Sequence, residues 1–490
     1  MSVDINSGRR GMLIGGMEMP AASARTTDDI NPVTGDVYLT VPAADASDAL
    51  AAIEAADVAF PGWAATAPSV RRTLLTRAAD LLEQREEEFA EILVQETAGT
   101  RVWAKFNIRM AAEQLRQGAT MATRQTGELL ATDVSGEWSI AVREPAGVVV
   151  SIVPWNGPLI LCARAIAVPL AVGNTMVIRP SEDAPVTSGL FLAEVLTAAG
   201  LPDGVVNVVT NDRADAPEVI EALIAHPRVR RCNFTGSTAV GKIVGRLAGE
   251  HITPVLLELG GKNPILVLDD ADVDQAAEQS AFARFMNSGQ ICLSVDRIIV
   301  DRSIAARFTE KFLEHVAALA KNGPDSPDAI IGPMIHARAA ARVAELVSDA
   351  VVKGAQILFD AGPVDGAFHP PTVLTGVTPD MRIHSEEIFG PVAVIYTVDS
   401  EEEAITLAND TEYGLSSAVY TENGTRGLMV ARRLRHGSVH INSHTIADEP
   451  QAPVGGVKDS GFGHFGSDWG AEFFTETRWV TVAAPRAGTR

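Results

Sequence analysis

The sequence predicts an α/β protein built around parallel sheets that helices cover on both faces. Between Val148 and Phe234, short apolar runs typical of fully buried strands alternate with longer segments whose apolar residues recur at helical spacing. The chain has 490 residues, of which 46% are hydrophobic, enough for two or three domains with their own cores. These observations favour a doubly wound nucleotide-binding domain and a second α/β domain.

Before the first buried strand, the sequence predicts a group of helices and one separate strand. From Ala46 to about Thr123 it is rich in Ala, Leu, Glu and Arg at helical spacing. Dipeptides that favour turns interrupt this region at Pro61-Gly62, Ala67-Pro68 and Ala98-Gly99. Alternating apolar residues over 137–143 then predict a strand that stands apart from the main sheet as a protruding arm.

The predicted elements of the two α/β domains follow in order. In the first domain, strands at Val148 to Val153, Met176 to Ile178, Val205 to Val209 and Val229 to Phe234 alternate with helices from Pro158, over Val186 to Ala199, over Pro217 to Ile224 and from Ser237. In the second, we expect helices at Ser303 to Lys321 and Ala337 to Lys353, and strands near Pro264 to Leu268, Val392 to Val398, Ser417 to Tyr420 and Ser438 to Asn442. A final strand, Glu476 to Val482, is predicted to pair with the arm near Trp138.

The charge balance and the cysteine content exclude several classes of protein. The formal net charge of −22 at pH 7 would repel nucleic acid and anionic membranes, so a bound phosphate has to be held by local donors. Three cysteines, Cys162, Cys232 and Cys292, are too few for a secreted disulfide framework, which predicts a reducing, cytoplasmic setting. Arg164 and Pro169 interrupt the apolar stretch Leu159 to Val172, so a membrane span is not predicted there, and no signal peptide is predicted.

One cysteine stands in a context that suits a nucleophile. Cys292 lies within NSGQICLS, residues Asn287 to Ser294, among small and polar residues that can leave a thiol accessible. A thiolate is strongly nucleophilic, and a nearby cation or helix N-terminus lowers its pKa. A lone cysteine is more often a buried structural residue, so its role depends on the other groups around it.

Two polar residues beside apolar strands could complete such a site. Asn156, in VVVSIVPWNGP, can donate side-chain N–H groups to a developing oxyanion. Glu258, in VLLELGGKNP, is a carboxylate in apolar surroundings, where desolvation raises the pKa toward that of a general base. Each has a purely structural alternative, an Asx turn for Asn156 and a paired carboxylate for Glu258.

A glycine-containing turn follows the strand that ends at Phe234. In TGSTAVG, Gly236 and Gly241 flank the start of a predicted helix, and Ser237 stands at its N-terminus. Small residues let a ligand approach the backbone, and a helix N-terminus favours an anionic group such as a phosphate. The alternative is a tight turn between strand and helix, because the standard GxGxxG pattern is absent.

Six motifs resemble those of the NAD(P)-dependent aldehyde dehydrogenase superfamily in order and approximate spacing. They are IVPWN, FTGSTAVG, LELGGKNP, GQIC, EEIFGPV and GGVKDSGFG. The resemblance implies a Rossmann-like cofactor domain at residues 1–122 and 146–260 and an α/β catalytic domain at 261–470. It further implies a small β oligomerisation arm at 123–145 and 471–490 that assembles a homodimer or a homotetramer. No nucleic-acid or membrane partner is expected.

The resemblance also assigns roles to individual residues. Cys292 becomes the nucleophile, Glu258 the base, and Asn156 with the backbone N–H of Cys292 the oxyanion hole. Positions that match cofactor contacts are Trp155, Arg179, Ser181, Glu182, Gly236, Ser237, Leu259, Glu387 and Phe389. Positions at the implied substrate tunnel are Gly157, Leu161, Arg164 and Ile291. No metal is expected.

The sequence departs from the family pattern at three places. Arg179 replaces a common lysine, and a planar guanidinium is not a simple substitute for it. Val454 replaces a common phenylalanine. His464 and Phe465 replace an Arg-Glu pair, so a proton relay proposed for a glutamate there cannot operate in that form.

The expected reaction is oxidation of an aldehyde to a carboxylic acid through a cysteine thiohemiacetal and a thioester. Glu182 could accept hydrogen bonds from the adenosine ribose and repel a 2′-phosphate, which favours NAD over NADP.

An aromatic substrate is favoured because Gly157 stands where many relatives have an aromatic residue, and because residues 445–460 resemble benzaldehyde, salicylaldehyde and vanillin dehydrogenases. Arg164 could bind a substrate hydroxyl or carboxylate, or pair with an internal carboxylate. The alternatives are a CoA-acylating semialdehyde dehydrogenase and an idle nucleotide-binding relative.

Overall fold

Two large sheets, of eight and seven strands, carry the two halves of the chain. The computed structural model describes residues 10–124, 126–323 and 326–483. The predicted domain ranges also include residues 1–9, 125, 324–325 and 484–490, which lie outside the described residues. The domain boundaries themselves stay predictions.

The helices are α1 (Ala46–Ala64), α2 (Pro68–Gln84), α3 (Glu86–Thr97), α4 (Arg101–Met121), α5 (Pro158–Val172), α6 (Phe191–Ala199), α7 (Ala216–Ala225), α8 (Thr238–Glu250), α9 (Val273–Phe285), α10 (Ala305–Ala320), α11 (Ala337–Val352), α12 (Arg382–Ser385), α13 (Glu401–Asn409), α14 (Gly424–Ala431) and α15 (Ser467–Phe473). The helix predicted over Val186 to Ala199 begins with one wide π turn, Val186–Leu190, before α6. None of the helices in the described part of the chain has the length and apolar character needed to span a bilayer.

The strands are β1 (Met12–Ile14), β2 (Met17–Met19), β3 (Thr26–Ile30), β4 (Val37–Pro42), β5 (Gly127–Leu130), β6 (Glu137–Pro145), β7 (Val148–Ile152), β8 (Thr175–Arg179), β9 (Val206–Val208), β10 (Val229–Thr235), β11 (Val255–Glu258), β12 (Asn263–Val267), β13 (Val295–Asp301), β14 (Gln356–Asp360), β15 (Thr372–Thr375), β16 (Val392–Val398), β17 (Ser416–Tyr420), β18 (Ser438–Ile441), β19 (Gly461–Phe462) and β20 (Thr475–Ala483). The strand β13, which follows Cys292, is missing from the sequence prediction.

The first sheet is doubly wound, as predicted. Its order is β19-β11-β10-β7-β8-β9-β1-β2, and the five strands from β11 to β9 run parallel. From β7 the chain moves outward through β8 and β9, and it then returns to the other side of β7 for β10 and β11. In such sheets the crevice at the carboxyl ends of the strands where the order reverses is the usual ligand site. Here that crevice lies between β7 and β10.

The second sheet faces this crevice with the opposite ends of its strands. Its order is β14-β15-β16-β13-β12-β17-β18, parallel except for β14. Cys292 stands three residues before the start of β13, and Glu258 is the last residue of β11. The carboxyl edge of one sheet therefore meets the amino edge of the other, and loops from both sheets share the space between them.

The predicted arm is confirmed as a separate antiparallel sheet. Its order is β20-β6-β5, and β20 pairs with β6 along nine residues, with Val482 opposite Trp138 and Trp479 opposite Ala141. Trp138 and Trp479 are 58% and 72% exposed. Large exposed apolar side chains on a separate sheet fit the predicted oligomerisation role, which stays a prediction.

One predicted turn is wrong. Pro61-Gly62 lies inside the last turn of α1, whereas turns do follow near Ala67-Pro68 and Ala98-Gly99. The side chain of Trp63 is buried, and its Nε1 donates a hydrogen bond of 3.1 Å to Leu170 O in α5. Tertiary anchoring therefore holds the helix through a proline that, by local propensity, would end it.

The helices α4 and α5 approach closely, and this crossing gives a first prediction. A Cβ at Gly118 would lie 2.6 Å from Ala167 Cβ and 2.9 Å from the carbonyl carbon of Ala167, which cannot move without shifting α5. We expect Gly118→Ala to lower the free energy of unfolding by about 1–3 kcal/mol, as measured by denaturant titration.

The control for this prediction is Gly249→Ala at the exposed end of α8. A Cβ there meets nothing within 4 Å, so this variant should be neutral or slightly stabilising. Equal stability of the two variants would contradict the close helix crossing.

Candidate active site

The structure brings Cys292, Glu258 and Asn156 to the space between the two sheets. Two cavities meet there, one of about 310 Å³ and one of about 370 Å³, and both are lined by Asn156 and Cys292. Glu258 lines the larger one. One thiol is therefore reachable from two sides, as a reaction between two different molecules requires.

The loop before Cys292 adopts an unusual backbone. Asn287, Ser288 and Gly289 all have positive φ, at 50°, 55° and 71°. Ser288 Oγ donates to Gly332 O at 2.6 Å and accepts from Gly332 N at 2.9 Å, and Asn287 Nδ2 donates to Asn156 O at 3.1 Å. Left-handed conformations of non-glycine residues persist only where neighbours hold them, and here the neighbours do.

A residue that the sequence prediction missed fixes the other side of this loop. Asn263 Nδ2 donates to Cys292 O at 2.7 Å and to Ser294 O at 2.9 Å, while its Oδ1 accepts from Ser416 N at 2.9 Å. Asn263 therefore ties the cysteine loop to β12 and β17. Its place in the LELGGKNP motif is the only sequence signal that could have indicated it.

Asn156 is held so that part of its side chain can serve a ligand. Its backbone oxygen accepts hydrogen bonds from Trp103 Nε1 at 2.9 Å and from Asn287 Nδ2. Its Nδ2 donates to Gln290 O at 3.0 Å. Because an amide nitrogen carries two hydrogens, one remains for an oxyanion beside Cys292.

Glu258 is fully buried and faces one cation. Arg164 Nη1 lies 3.3 and 3.4 Å from its two carboxylate oxygens, and Arg164 Nη2 is hydrogen-bonded to Asp448. Burial raises the pKa of Glu258, and the guanidinium of Arg164 opposes this shift only in part. A carboxylate with a raised pKa is a better proton acceptor at neutral pH.

Both terminal nitrogens of Arg164 are thus engaged by carboxylates of the chain. Of the two roles predicted for this residue, the structure favours pairing with internal carboxylates over binding of a substrate group. Arg164 still lines the smaller cavity, together with Gly157, Leu161 and Ile291.

The charges of Glu258 and Arg164 also affect the pKa of the Cys292 thiol. Cys292 is partly exposed, whereas Cys162 and Cys232 are buried in α5 and β10. Burial and the carboxylate of Glu258 raise the pKa of Cys292, and the guanidinium of Arg164 lowers it. The resting thiol is therefore protonated at neutral pH, and loss of its proton is tied to the charge of Glu258 and Arg164.

The larger cavity contains many of the predicted cofactor positions. Its walls include Trp155, Gly236, Ser237, Leu259, Glu387 and Phe389. Ser237 caps α8, whose N-terminal N–H groups favour a phosphate, and the rings of Trp155 and Phe389 meet edge to face at 5.8 Å. Glu387 accepts from Gly261 N at 2.9 Å, and burial raises the pKa of Glu387 to about 7. A dinucleotide fits this set of donors, acceptors and aromatic faces.

The remaining cofactor positions lie at the end of the neighbouring strand β8 and just after it. Arg179 forms an ion pair of 2.6 Å with Glu182, and its Nε donates to Asn211 Oδ1 at 2.7 Å. Burial opposes ionisation of Glu182, yet the Arg179 guanidinium keeps the pKa of Glu182 below its usual value, so the carboxylate is charged. Ser181 is buried, and its Oγ accepts from Asp183 N at 3.3 Å.

The smaller cavity has aromatic and aliphatic walls. Trp103, Phe106 and Phe282 line it beside Leu161 and Ile291. At Gly157 a Cβ would lie 3.6 Å from its nearest neighbours, Leu161 and Trp103, which is ordinary van der Waals contact, so no tight backbone contact requires a glycine there. Among the residues described by the structure, no group of three or more His, Cys, Asp or Glu could hold a metal ion.

The family model described as the aldehyde dehydrogenase family matches residues 19–480. The chain belongs to this family. Aldehyde dehydrogenases are oxidoreductases that use NAD or NADP, and the fold predicted for this one is confirmed by its structural neighbours. The match therefore covers almost the whole length of this 490-residue chain.

Relatives of this aldehyde dehydrogenase act, by name, on aromatic aldehydes. It is 48% identical over 471 residues to a vanillin dehydrogenase of Pseudomonas fluorescens, covering 96% of this chain and 97% of the relative. It is 42% identical over 463 residues to a salicylaldehyde dehydrogenase of Pseudomonas putida (94% and 95% covered). It is 38% identical over 469 residues to a benzaldehyde dehydrogenase of Bacillus subtilis (96% of each covered).

Solved structures agree with these relatives. A salicylaldehyde dehydrogenase from Pseudomonas putida, crystallised with salicylaldehyde, has a TM-score of 0.94 at 39% identity, with 98% of this chain and 99% of the other covered. An indole-3-acetaldehyde dehydrogenase in complex with NAD+ has a TM-score of 0.93 at 35% identity, with 97% of each chain covered.

The structure accounts for two departures of this aldehyde dehydrogenase from the family pattern. Val454 forms a β-bridge with Phe465, whose N donates to Val454 O at 2.8 Å. The side chain of Phe465 is buried and apolar. The position that would hold a relay glutamate is thus used for packing.

Cysteine reactivity tests this description of the site. We expect iodoacetamide to alkylate Cys292 in the folded enzyme, slowly at pH 7 and faster as the pH rises, because the thiolate is the reactive form. Cys162 and Cys232 should react only after unfolding, since both are buried and burial raises the pKa of each. Peptide mass spectrometry after timed labelling measures all three rates, and labelling of either buried cysteine at the rate of Cys292 would refute the assignment.

Proposed function

We propose that this enzyme oxidises an aromatic aldehyde to the carboxylic acid with NAD, through a thioester on Cys292. The observation that carries the proposal is the position of Cys292, where two cavities of different character meet beside Asn156 and Glu258. One cavity has the polar groups and helix N-terminus that suit a dinucleotide, and the other has apolar walls that suit a ring.

In the first half of the reaction, the thiol of Cys292 releases its proton to solvent, and the sulfur adds to the aldehyde carbon. The carbonyl oxygen becomes an oxyanion, which accepts hydrogen bonds from Asn156 Nδ2 and the backbone N–H of Cys292. A bound nicotinamide supplies a hydride acceptor. Loss of hydride from the tetrahedral carbon re-forms the C=O bond and leaves a thioester on Cys292. Covalent addition makes this possible, because hydride loss from the free aldehyde would form an acylium ion.

In the second half, Glu258 takes a proton from water while the water oxygen attacks the thioester carbon. The tetrahedral intermediate collapses and the C–S bond breaks. The proton held by Glu258 passes to the departing Cys292 sulfur, and the carboxylic acid leaves with the thiol and the Glu258 carboxylate restored. The raised pKa of Glu258 suits this proton transfer. In a CoA-acylating enzyme, CoA rather than water would accept the acyl group. The presence of both Cys292 and Glu258 argues against a catalytically idle relative.

Residues of the larger cavity would hold NAD. Ser237 and the N-terminus of α8 would face the pyrophosphate, and Glu387 the nicotinamide ribose. Glu182 would accept hydrogen bonds from the adenosine ribose. Arg179 is already paired with Glu182, which limits its ability to bind a 2′-phosphate and supports NAD over NADP.

The aromatic substrate is supported by the cavity and by the relatives. A flat ring would lie between Trp103, Phe282 and Ile291, beside Gly157, which has no side chain to occupy the cavity. The names of the relatives, vanillin, salicylaldehyde and benzaldehyde dehydrogenase, point to the same class of substrate. We further infer a cytoplasmic homodimer or homotetramer that assembles through the arm sheet.

Substituting the nucleophile tests the role of Cys292. Cys292→Ala should abolish NADH formation and leave NAD binding intact, as measured by steady-state absorbance and by calorimetry. The matched variants Cys162→Ala and Cys232→Ala should keep most of the activity, because both thiols lie in the core. Substantial turnover by Cys292→Ala would contradict the assignment of Cys292 as the nucleophile.

A substrate panel tests the aromatic proposal. The wild type should have a higher kcat/KM for benzaldehyde than for acetaldehyde, and added CoA should not change the rate. Gly157→Phe would fill the ring space, so it should lower kcat/KM for benzaldehyde by about tenfold or more and spare acetaldehyde. A wild type that prefers acetaldehyde would discard the aromatic substrate, and dependence on CoA would favour the acylating alternative.

Cofactor choice depends on the charge of Glu182. The wild type should have a higher kcat/KM with NAD than with NADP. Glu182→Gln removes the repulsion of a 2′-phosphate and releases Arg179. We expect this to lower the ratio of kcat/KM with NAD to kcat/KM with NADP by roughly fivefold or more, which corresponds to at least about 1 kcal/mol. A wild-type kcat/KM with NADP equal to or above that with NAD would contradict the proposal.

A further inference from the structure

Arg164 stands between two carboxylates at the base of the site. Its Nη1 reaches Glu258 at 3.3 and 3.4 Å, and its Nη2 is hydrogen-bonded to Asp448. The side chains of Arg164, Glu258 and Asp448 are 4%, 0% and 9% exposed. One guanidinium therefore serves two carboxylates that water does not screen.

The three groups come from distant parts of the chain. Glu258 ends β11, Arg164 lies in α5, and Asp448 lies in the loop after β18. The other titratable groups that face this cluster are Cys292, from the loop before β13, and His440 of β18, which lies near Asp448. Glu387, before β16, acts on Cys292 from the cofactor side. Of these groups, Asp448 is the one that holds a terminal nitrogen of Arg164 without having a role of its own in the proposed reaction.

The contact distances show how Arg164 is shared. Strong charge-assisted hydrogen bonds between a guanidinium and a carboxylate are about 2.7–2.9 Å long and often use two nitrogens. Glu258 receives only one nitrogen at a longer distance, because the other nitrogen is held by Asp448. Asp448 therefore keeps Arg164 from neutralising Glu258 completely.

We propose that Asp448 is a positioning residue for the general base, holding Arg164 so that Glu258 keeps a high proton affinity. This inference rests on the proposed function and adds a residue to it. Removing the charge of Asp448 would leave the whole guanidinium to Glu258, which would stabilise the carboxylate and weaken it as a base. Removing Arg164 would do the opposite and make Glu258 harder to ionise.

The test is the pH dependence of acyl-enzyme hydrolysis. Enzyme is mixed with NAD and benzaldehyde, quenched at intervals, and the loss of the acyl group is followed by intact mass over a range of pH. The rate falls at low pH where Glu258 becomes protonated. We expect this acid limb to move to lower pH in Asp448→Asn and to higher pH in Arg164→Met, each by roughly one pH unit or more.

A matched control and a second variant keep the test decisive. The control is Glu449→Gln. Glu449 is the exposed neighbour of Asp448 and, among the described residues, forms no ion pair with Arg164. The acid limb of this variant should therefore stay in place. Thermal unfolding checks that each variant folds. Should Asp448→Asn fail to fold, Asp448→Ser removes the same charge with a smaller side chain.

Opposite shifts of the acid limb in the two variants would support the proposal, since a merely structural role would lower rates without moving it. An unmoved limb, or shifts in the same direction, would overturn it. A loss confined to hydroxybenzaldehydes would make Asp448 a substrate contact and also overturn it. No turnover of any aldehyde by the wild type would overturn the proposed function and this inference together, whereas normal wild-type turnover with an unmoved limb would overturn the inference alone.

Discussion

The left-handed backbone at Asn287 and Ser288 is the constraint on which the site depends. It costs about 1–2 kcal/mol for each of the two residues. The hydrogen bonds of Asn287 to Asn156, of Ser288 to and from Gly332, and of Ile335 N to the neighbouring Gln290 contribute about 1 kcal/mol each, which offsets that cost. The cysteine is therefore presented by a loop that is stable only when the parts of the chain around it are folded.

A second set of buried contacts joins the cysteine loop to the cofactor side. Lys262 Nζ donates to Asp296 Oδ2 at 3.1 Å and to Glu386 O at 2.6 Å, and Asp296 Oδ2 also accepts from Ile388 N at 3.0 Å. The segment that carries Glu387 and Phe389 is thus anchored to the amino ends of β12 and β13. The thiol and these walls of the larger cavity are anchored to the same strands, which fixes the distance between them.

Much of this arrangement could be predicted from sequence, because periodic apolar patterns report burial and local motifs report turns. The alternation of strands and helices and the separate arm sheet follow from such patterns. The roles of Cys292, Glu258 and Asn156 do not, because each residue alone also suits a structural position, and only the resemblance to the family assigned those roles. Such patterns could not predict that α1 continues through Pro61-Gly62, because the contact between Trp63 and Leu170 overrides the local propensity. They also could not identify the partners of Arg164. Glu258 and Asp448 lie 94 and 284 residues away in sequence, and the spacing of residues along one helix does not show which side chains face it.

In the proposed reaction, Cys292 carries an acyl group that Glu258 then helps water to remove. The most direct measurement uses Glu258→Gln, mixed with NAD and benzaldehyde, quenched within one turnover and digested for peptide mass spectrometry. We expect one benzoyl group on the peptide that contains Cys292, formed with one equivalent of NADH and persisting far longer than in the wild type. An unmodified Cys292 peptide after NADH has formed, or steady turnover of the variant at the wild-type rate, would contradict it.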